Sequence, residues 1–203
     1  MDSVTSSQRR VGEPVSIVRV DAAAVILVEG VSDRVALEAL ARRRGRDLDA
    51  EKVAIVPIGG AHALGKVLQL VLEQQRDVRL AGLCDAGEER DFARALERAG
   101  LGRDLTRERM EELGFYVCDA DLEDELIRAL GTAAVEEVLA RNGDLGSFRT
   151  FQKQPQWQGR PTESQLRRFF GSSAGKIKYA RLLVDALDLR RVPRPLDGVL
   201  AHV

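Results

Sequence analysis

The feature of this sequence that most constrains its fold is a regular alternation of short apolar runs with amphipathic segments, from about residue 22 to residue 131. The apolar runs are mostly rich in β-branched residues and end at acidic residues, Gly or Pro, a pattern that is typical of buried strands. Because helical segments connect them, we expect the strands to lie parallel. The pattern predicts an α/β fold of the Rossmann-like type, with a mainly parallel four-stranded sheet flanked by helices. The predicted strands are 25–28, 53–56, 78–84 and 115–118.

The positions of the helical segments and of the breaks between them divide the chain into three predicted regions. Residues 1–21 are predicted to be a polar tail, 22–145 an α/β core, and 146–203 a helical extension packed on that core. The segment 152–161 is predicted to be a polar loop, and 192–195 to be extended. Thr106 is the predicted N-cap of a short helix that ends at Gly114. The other predicted helices are 33–44, 62–74, 89–99, one that ends at Gly131, 133–141, 163–170 and 174–187.

Composition narrows the class of protein. The chain has 203 residues, of which 44% are hydrophobic and 31% charged, as in a globular protein that is soluble in water. No apolar run reaches the roughly 20 residues of a membrane span, and no apolar stretch follows the basic residues of the N-terminus, so we expect a cytoplasmic protein with no membrane partner. Two cysteines are too few for a zinc site of their own. The net charge of -1 does not by itself indicate a polyanionic partner.

Acidic residues follow three of the four predicted strands directly. Since the carboxyl ends of parallel strands meet at one edge of a sheet, these carboxylates are expected to lie close together. Converging carboxylates repel one another unless a cation neutralises them, and Mg²⁺ prefers such oxygen ligands. The sequence therefore predicts a divalent metal site at this edge. The first candidate ligands are Glu29, Asp33, Asp85 and Glu123, followed by Asp121 and Asp124.

Helix capping is the alternative explanation for each of these acids taken alone, because carboxylates stabilise helix N-termini. Asp33 and Glu89 suit such a role well, and Asp119 or Asp121 could cap the helix that contains Glu123. Capping explains Glu29 least, because this residue precedes a glycine at the end of a strand. Both interpretations stay open at the level of sequence.

The strings around these acids resemble those of a known family, the Toprim domain of the OLD (overcoming lysogenization defect) nucleases. An apolar strand that ends in Glu29-Gly30, with Ser32 and Asp33 following, resembles the first Toprim motif. The strand that ends at Asp85 resembles the second. The Leu-Glu-Asp string at 122–124 and a Lys at the start of a C-terminal helix, Lys176, resemble further features of the family. The resemblance extends over residues 22–188.

Two departures from the family pattern are visible. The second motif reads Asp85-Ala86-Gly87, so its usual second Asp is missing, and Glu88 or Glu89 could replace it from the start of the next helix. The segment 59–66 also lacks the spacing and the Ser/Thr of a Walker A motif. The chain is therefore expected to be a stand-alone Toprim domain, and any dependence on ATP would require a separate ATPase partner.

The resemblance implies a nuclease that hydrolyses phosphodiester bonds in DNA or RNA with one or two Mg²⁺ or Mn²⁺ ions. It implies catalytic roles for Glu29 and Lys176. Basic residues in the C-terminal third are candidates for nucleic-acid contacts, with Trp157 available to stack on a base. These basic residues are Arg149, Lys153, Arg160, Arg167, Arg168 and Lys178.

Other functions are compatible with the same sequence. A site that lacks one acid could hold metal poorly, which would leave a module that binds nucleic acid or a partner protein without cutting. Another phosphotransfer reaction of the Toprim type is a further alternative, although no nucleophilic Tyr domain is recognisable. The sequence does not indicate the oligomeric state, or whether one or both strands of a duplex are cut.

Overall fold

A computed structural model describes residues 22–203, with the exception of 75, 76 and 172. The predicted tail at 1–21 lies outside the described residues. Within them, no helix combines the length and the apolar character needed to cross a membrane.

The centre of the molecule is a four-stranded sheet in which every pair of neighbouring strands is parallel, with the order β2-β1-β3-β4. Strand β1 is central, and all five of its residues are buried. Ala24 of β1 pairs with Val53 on one side and with Arg79 on the other. The predicted parallel sheet is therefore confirmed. The strands are β1 (Ala24–Val28), β2 (Val53–Pro57), β3 (Arg79–Asp85) and β4 (Phe115–Cys118).

Ten helices surround the sheet within the described part of the chain. Short 3₁₀ turns precede the second and the third of them. The helices are α1 (Val31–Arg43), α2 (Leu64–Gln74), α3 (Glu89–Arg98), α4 (Arg107–Glu112), α5 (Leu122–Leu130), α6 (Thr132–Arg141), α7 (Leu145–Gln152), α8 (Thr162–Phe170), α9 (Ser173–Ala186) and α10 (Arg194–His202).

The sheet separates two hydrophobic clusters, because successive side chains of a strand point to opposite faces. Ile26 and Val28 belong to the cluster that contains buried residues of α1, α5, α6, α8, α9 and α10. Val25 and Leu27 belong to the other cluster, which is covered by α2, α3 and α4. The C-terminal helices thus complete one face of the sheet, and this arrangement brings α9 alongside α1.

Contacts from α1 and the following turn hold the C-terminal helices in place. Nη1 of Arg43 donates hydrogen bonds of 2.7 Å to the carbonyl oxygens of Val184 and Leu187, at the end of α9. Since the last carbonyls of a helix lack partners within the helix, these bonds cap α9. The N-terminal turn of α9, which carries Lys176, is thereby part of a helix anchored at its far end.

The structure corrects the prediction of an extended segment at 192–195. Pro193 is extended, but α10 begins at Arg194 with Pro195 in its first turn, where proline is tolerated because the first N–H groups of a helix have no partner within it. The helix buries Leu196, Val199 and Leu200. Helix α7 was also not predicted, because it has only eight residues and buries one side chain fully, Phe148.

Candidate metal centre

The first element of the site is the turn between β1 and α1. The chain leaves β1 at Val28, and α1 begins at Val31, after the two residues Glu29 and Gly30. The backbone N–H of Gly30 donates a 2.7 Å hydrogen bond to Oδ2 of Asp33, which confirms the capping role predicted for Asp33. Asp33 is also buried, with 8% of its surface exposed, and it lines a cavity that it shares with Glu29. Capping and participation in the site therefore coincide at this residue.

The second element is the end of β3, where Asp85 is the last residue of the strand. A 3₁₀ turn at Ala86–Glu88 connects it to α3. The nearby Glu88 carboxyl is one of the groups that raise the pKa of Glu29, after burial. Glu89 instead accepts a 2.7 Å hydrogen bond from Nη2 of Arg107. Of the two neighbouring glutamates, Glu89 is therefore the one that an arginine of α4 holds.

The third element is the N-terminus of α5. Asp121 is the N-cap, since its Oδ1 accepts a 2.9 Å hydrogen bond from the backbone N–H of Asp124. Glu123 lies in the first turn, is 4% exposed and lines the same cavity as Glu29. Oδ2 of Asp124 accepts a 2.8 Å bond from Nε of Arg128. Neither Asp121 nor Asp124 lines the cavity, because capping and arginine contacts engage their carboxylates.

We call this space the acidic cavity. It has a volume of about 270 Å³ and lies at the carboxyl edge of the sheet. A second cavity of about 380 Å³ lies near the end of β4 beside Asp119, but its acids face Arg107, Arg128 and Arg194. The charged residues that line the acidic cavity are Glu29, Asp33, Asp85, Glu123 and Lys176.

The acids of the cavity are poorly compensated. Oε2 of Glu29 and Oε1 of Glu123 are buried and have no hydrogen-bond partner among the described residues. Burial, reinforced by neighbouring carboxylates, raises the pKa of Glu29 to about 7 and that of Asp85 to about 8. Burial also raises the pKa of Asp33 to about 6 and holds that of Glu123 above its usual range. The cavity therefore concentrates negative charge that lacks a full set of donors.

Lys176 is the cation of the cavity. Its Nζ lies 3.5 Å from Oε2 of Glu123, and its side chain is 41% exposed. Burial lowers the pKa of Lys176, but the carboxylates of Glu123, Asp121 and Asp85 outweigh it, so that the pKa lies above its ordinary value. Lys176 is thus charged at neutral pH and offsets part of the negative charge beside Glu123.

The donor set fits a hard divalent cation, because the cavity offers carboxylate oxygens and two of these oxygens are buried without a partner among residues 22–203 as described. In the conformation seen here, no three His, Cys, Asp or Glu side chains of the described residues are already grouped to hold a metal ion. Side chains would have to turn toward an ion. Glu29, Asp85 and Glu123, with Asp33 beside them, are the residues in the cavity that could do so.

Sequence reasoning missed the part of the cavity that Gly59 and Gly60 form. Both have positive φ angles, 76° and 109°, which favour glycine, and the N–H of Gly59 donates to the carbonyl oxygen of Glu29. This loop follows β2, which neighbours β1. The glycine pair follows a predicted strand in the sequence, but only the strand order places it against Glu29.

The basic candidates are spread over the C-terminal helices. Nε of Arg167 donates a 2.6 Å hydrogen bond to Oδ2 of Asp121, which places Arg167 beside the acidic cavity. Arg160 lies 5.4 Å from the ring of Trp157, and Lys178 pairs with Asp144. Lys153 and Arg168 are exposed. Arg149 is bound to Glu136 and Gln152.

Trp157 lies against the protein surface. Its ring stacks on Phe151 at a centroid distance of 5.1 Å, and the residue is partly buried. Phe151 in turn belongs to an aromatic group with Phe148 and Phe169. Trp157 therefore extends the hydrophobic core outward, and Arg160 covers part of the same ring.

The structure is an α/β domain with a parallel sheet, carboxylates at the carboxyl edge of that sheet and a lysine beside them on a C-terminal helix. Residues 22–86 match the family model for the overcoming lysogenization defect protein-like TOPRIM domain. This part of the chain, which includes Glu29, Asp33 and Asp85, therefore carries the likeness to an OLD-like TOPRIM domain. The resemblance predicted from the sequence motifs is confirmed, whereas Glu123 and Lys176 lie outside the matched residues.

Solved structures extend the likeness of fold to most of the chain. The C-terminal region of the Xanthomonas campestris pv. campestris OLD protein is similar with a TM-score of 0.66 and 19% identity, over 90% of this chain and 94% of that chain. The C-terminal region of the Burkholderia pseudomallei OLD protein gives the same TM-score and identity, over 90% and 97%. A comparison with curated proteins gave no match. The fold therefore corresponds to the C-terminal region of OLD proteins, including the helices after α5.

Proposed function

We propose that this protein is a metal-dependent nuclease that hydrolyses phosphodiester bonds in DNA. The observation that carries the proposal is a pair of buried carboxylate oxygens, on Glu29 and Glu123, that have no hydrogen-bond partner in the described part of the chain and belong to residues lining one cavity at the carboxyl edge of the sheet. Uncompensated carboxylates are costly to bury, and a divalent cation would offset that cost. The match of residues 22–86 to an OLD-like TOPRIM domain supports the same reaction class.

One or two Mg²⁺ or Mn²⁺ ions are the proposed cofactors. Glu29, Asp85 and Glu123 would hold them, with Asp33 contributing from the start of α1. A bound ion would polarise the scissile phosphate and lower the pKa of an attacking water. Asp121 is a weaker candidate ligand because it caps α5 and binds Arg167. Asp124 is weaker still because it pairs with Arg128.

Two residues of the cavity have further proposed roles. Lys176 carries a positive charge that faces the carboxylates from the start of α9, so it can stabilise negative charge that develops on a phosphate oxygen. Glu29 has a pKa of about 7, which suits a residue that accepts a proton near neutral pH. The Arg43 contacts at the far end of α9 favour a fixed position for Lys176.

The proposed DNA path follows the helices beside the cavity. Arg167 is the first candidate for a phosphate contact because its partner Asp121 lies next to Glu123 along α5. Contacts farther from the cavity would come from exposed basic residues, which bind backbone phosphates without reading sequence. These candidates are Lys153, Arg160, Arg168 and Lys178. We also propose that the protein can act with a separate ATPase partner and that RNA is a possible substrate. Cleavage assays with the purified protein, with RNA in place of DNA, test the second proposal.

A plasmid-cleavage assay tests the proposed function. Supercoiled DNA is incubated with the protein and Mg²⁺ or Mn²⁺, and Glu29→Gln is compared with Glu137→Gln, which removes the same charge at an exposed position of α6. We expect cleavage by the wild type and by Glu137→Gln, loss of cleavage by Glu29→Gln, and no cleavage in EDTA. Cleavage that survives both EDTA and Glu29→Gln would contradict the proposal.

The second candidate function is a module that binds nucleic acid or a partner protein without cutting. It is favoured by the absence of a side chain at Gly87, where the family motif has its second Asp, and by the lack of a preformed group of three ligands among the described residues. Binding of DNA in a gel-shift assay, together with Mn²⁺ binding but no cleavage of plasmid, single-stranded DNA or RNA, would favour this candidate.

A further inference from the structure

Three large hydrophobic side chains are prominently exposed in the part of the chain that the structure describes. Val31 is 41% exposed, Ile177 is 40% exposed and Leu189 is 37% exposed. Single exposed hydrophobic residues are common on protein surfaces, so such a residue points to a ligand only where its position does. Two of these three residues adjoin the acidic cavity, and the third does not.

Val31 and Ile177 are chain neighbours of residues that line the acidic cavity. Val31 is the first residue of α1 and stands between Gly30 and Ser32, both of which line the cavity. Ile177 directly follows Lys176, the cation of the cavity, in α9. The two side chains therefore lie at the mouth of the cavity, and we call them the apolar lip.

Helices α1 and α9 lie side by side and run in the same direction, which places Leu189 far from the lip. Lys176, near the start of α9, lines the cavity beside the first turn of α1. At the other end of the pair, Arg43 of α1 donates to carbonyl oxygens at the end of α9. Helix α9 has 14 residues and is therefore about 21 Å long. Leu189 follows the end of α9, away from the cavity.

The acidic cavity is too small to enclose a whole nucleotide. Its volume is about 270 Å³, below the roughly 300–1,000 Å³ of pockets that bury a small-molecule ligand. Under the proposed function, this volume holds metal ions and the scissile phosphate. Because the sugar and the base are covalently attached to that phosphate, they must lie outside the cavity, at its mouth. The nucleotide therefore meets the apolar lip.

An apolar surface at this mouth distinguishes unpaired from paired nucleotides. In a duplex the faces of the bases are stacked on one another, so a protein meets base edges and the charged backbone. In an unpaired strand the base faces are exposed, and proteins cover them with side chains. Aliphatic residues such as Ile also hold bases apart where they are inserted between base steps. Valine and isoleucine thus bury more apolar area against an unpaired base than against a base pair.

We propose that the apolar lip packs against the base of an unpaired nucleotide next to the scissile phosphate, so that the substrate of this site is a strand with an unpaired stretch. This inference rests on the proposed function, since it takes the phosphate to lie in the acidic cavity. The charge of Lys176 beside Ile177 suits a phosphate-bearing ligand, which favours a nucleotide over a partner protein at this surface.

Binding of a labelled single-stranded oligonucleotide and of the duplex of the same sequence, followed by fluorescence anisotropy, tests this inference without cleavage. Ca²⁺ replaces Mg²⁺, and the strands are checked to be intact after the titration. We expect the wild type to bind the single strand more tightly than the duplex. Val31→Thr combined with Ile177→Thr should weaken single-strand binding about fivefold or more, because less apolar area is buried. Duplex binding, which depends on phosphate contacts, should stay within about twofold.

Leu189→Thr is the matched control, since it replaces a similarly exposed hydrophobic side chain far from the cavity. It should bind both oligonucleotides as the wild type does. All three positions are exposed, so the variants should keep the melting temperature of the wild type. Equal weakening by the control and by the double variant would overturn the inference, and so would a wild type that binds the duplex at least as tightly as the single strand. A double variant that binds both oligonucleotides like the wild type also overturns it, and is the result expected if the lip covers a partner protein.

The outcomes for the inference and for the proposed function are distinguishable. If Glu29→Gln abolishes metal-dependent cleavage while the double variant binds and cuts like the wild type, the nuclease proposal stands and the role of the apolar lip is wrong. If the double variant loses the preference for the single strand but the wild type cuts no nucleic acid, the role of the lip stands and the nuclease proposal is wrong.

Discussion

Two groups of acids lie side by side at the carboxyl edge of the sheet, and they are neutralised in different ways. In the acidic cavity, Lys176 contacts Glu123 at 3.5 Å, while buried oxygens of Glu29 and Glu123 have no partner among the described residues. The other group, which we call the arginine network, has a guanidinium contact for every acid. The network consists of Glu89, Asp119, Asp124, Glu125, Arg107 and Arg128.

The comparison teaches that acid content alone does not identify a metal site. Glu123 and Asp124 are adjacent in α5, yet Glu123 lines the acidic cavity and Asp124 binds Arg128. Residues one apart on a helix lie about 100° apart around its axis, so they face different neighbours. An acid becomes a candidate ligand where the fold supplies no arginine to face it.

The largest expected effect is on the rate of cleavage, and it should differ between Glu123 and Asp124. Under the nuclease proposal, Glu123→Gln should reduce Mg²⁺-dependent plasmid cleavage by about 100-fold or more, the usual scale for losing one group that stabilises a transition state. Asp124→Asn should leave cleavage within about threefold, since it loses one partly exposed ion pair. Initial rates of nicking measure both. Similar losses in the two variants would erase the proposed distinction between the groups.

A smaller effect is expected on the free energy of unfolding, and it concerns the arginine network. Arg128→Ala removes a partner of Glu125, whose side chain is only 6% exposed, and should lower the free energy of unfolding by about 2 kcal/mol. Arg141→Ala breaks an exposed pair with Glu137 and should cost less than about 0.5 kcal/mol. Urea denaturation gives both values. The arginine network has no structural role if the two variants are equally stable.

The smallest expected effect is on the pH dependence of the metal-free protein. Glu29, Asp33 and Asp85 have pKa values raised to about 7, 6 and 8, so the native state holds protons that the unfolded state has released. Their contribution to stability is complete below about pH 4 and is lost as the pH rises to about 8. The melting temperature in EDTA should therefore fall between about pH 5 and pH 8.

The controls for this pH dependence use the same scan. Asp85→Asn should flatten the decline, whereas Glu137→Gln should keep it. Acids with lowered pKa values, such as Asp188 at about 2, are ionised in both states over this range and do not affect it. Saturating Mg²⁺ should reduce the decline, because a bound cation neutralises the cavity. A melting temperature that rises over this range would contradict the charge assignment.

Much of the fold follows from the sequence because its signals are local. The four strands are short apolar runs with breaks at both ends, and each of them was found within a residue or two of its observed bounds. Helix α10 was missed because Pro193 and Pro195 mark an extended chain as often as they mark a first turn. The burial of Leu196 and Val199 distinguishes a first helical turn from an extended segment here, and that burial depends on tertiary packing.

The site was only partly predictable for a related reason. The position of an acid after a parallel strand is readable, and Glu29, Asp85 and Glu123 do line one cavity. Which acids an arginine neutralises is not readable, because Arg107 meets Glu89 across 18 positions of sequence and Arg167 meets Asp121 across 46. Local sequence carries no signal for such pairs. The predicted candidate Asp121 therefore needed the structure to be separated from the cavity. Asp124 differs, because its partner Arg128 lies four residues on in the same helix, a spacing that the sequence does show.

Anomalous diffraction from crystals grown or soaked with Mn²⁺ tests the central claim most directly, because it locates the ion without reference to activity. The predicted result is a Mn²⁺ peak in the acidic cavity, bound by carboxylate oxygens of Glu29 and Glu123 and absent from crystals of the Glu29→Gln variant. A peak at the acids of the arginine network, or no peak in the acidic cavity at millimolar Mn²⁺, would contradict the account.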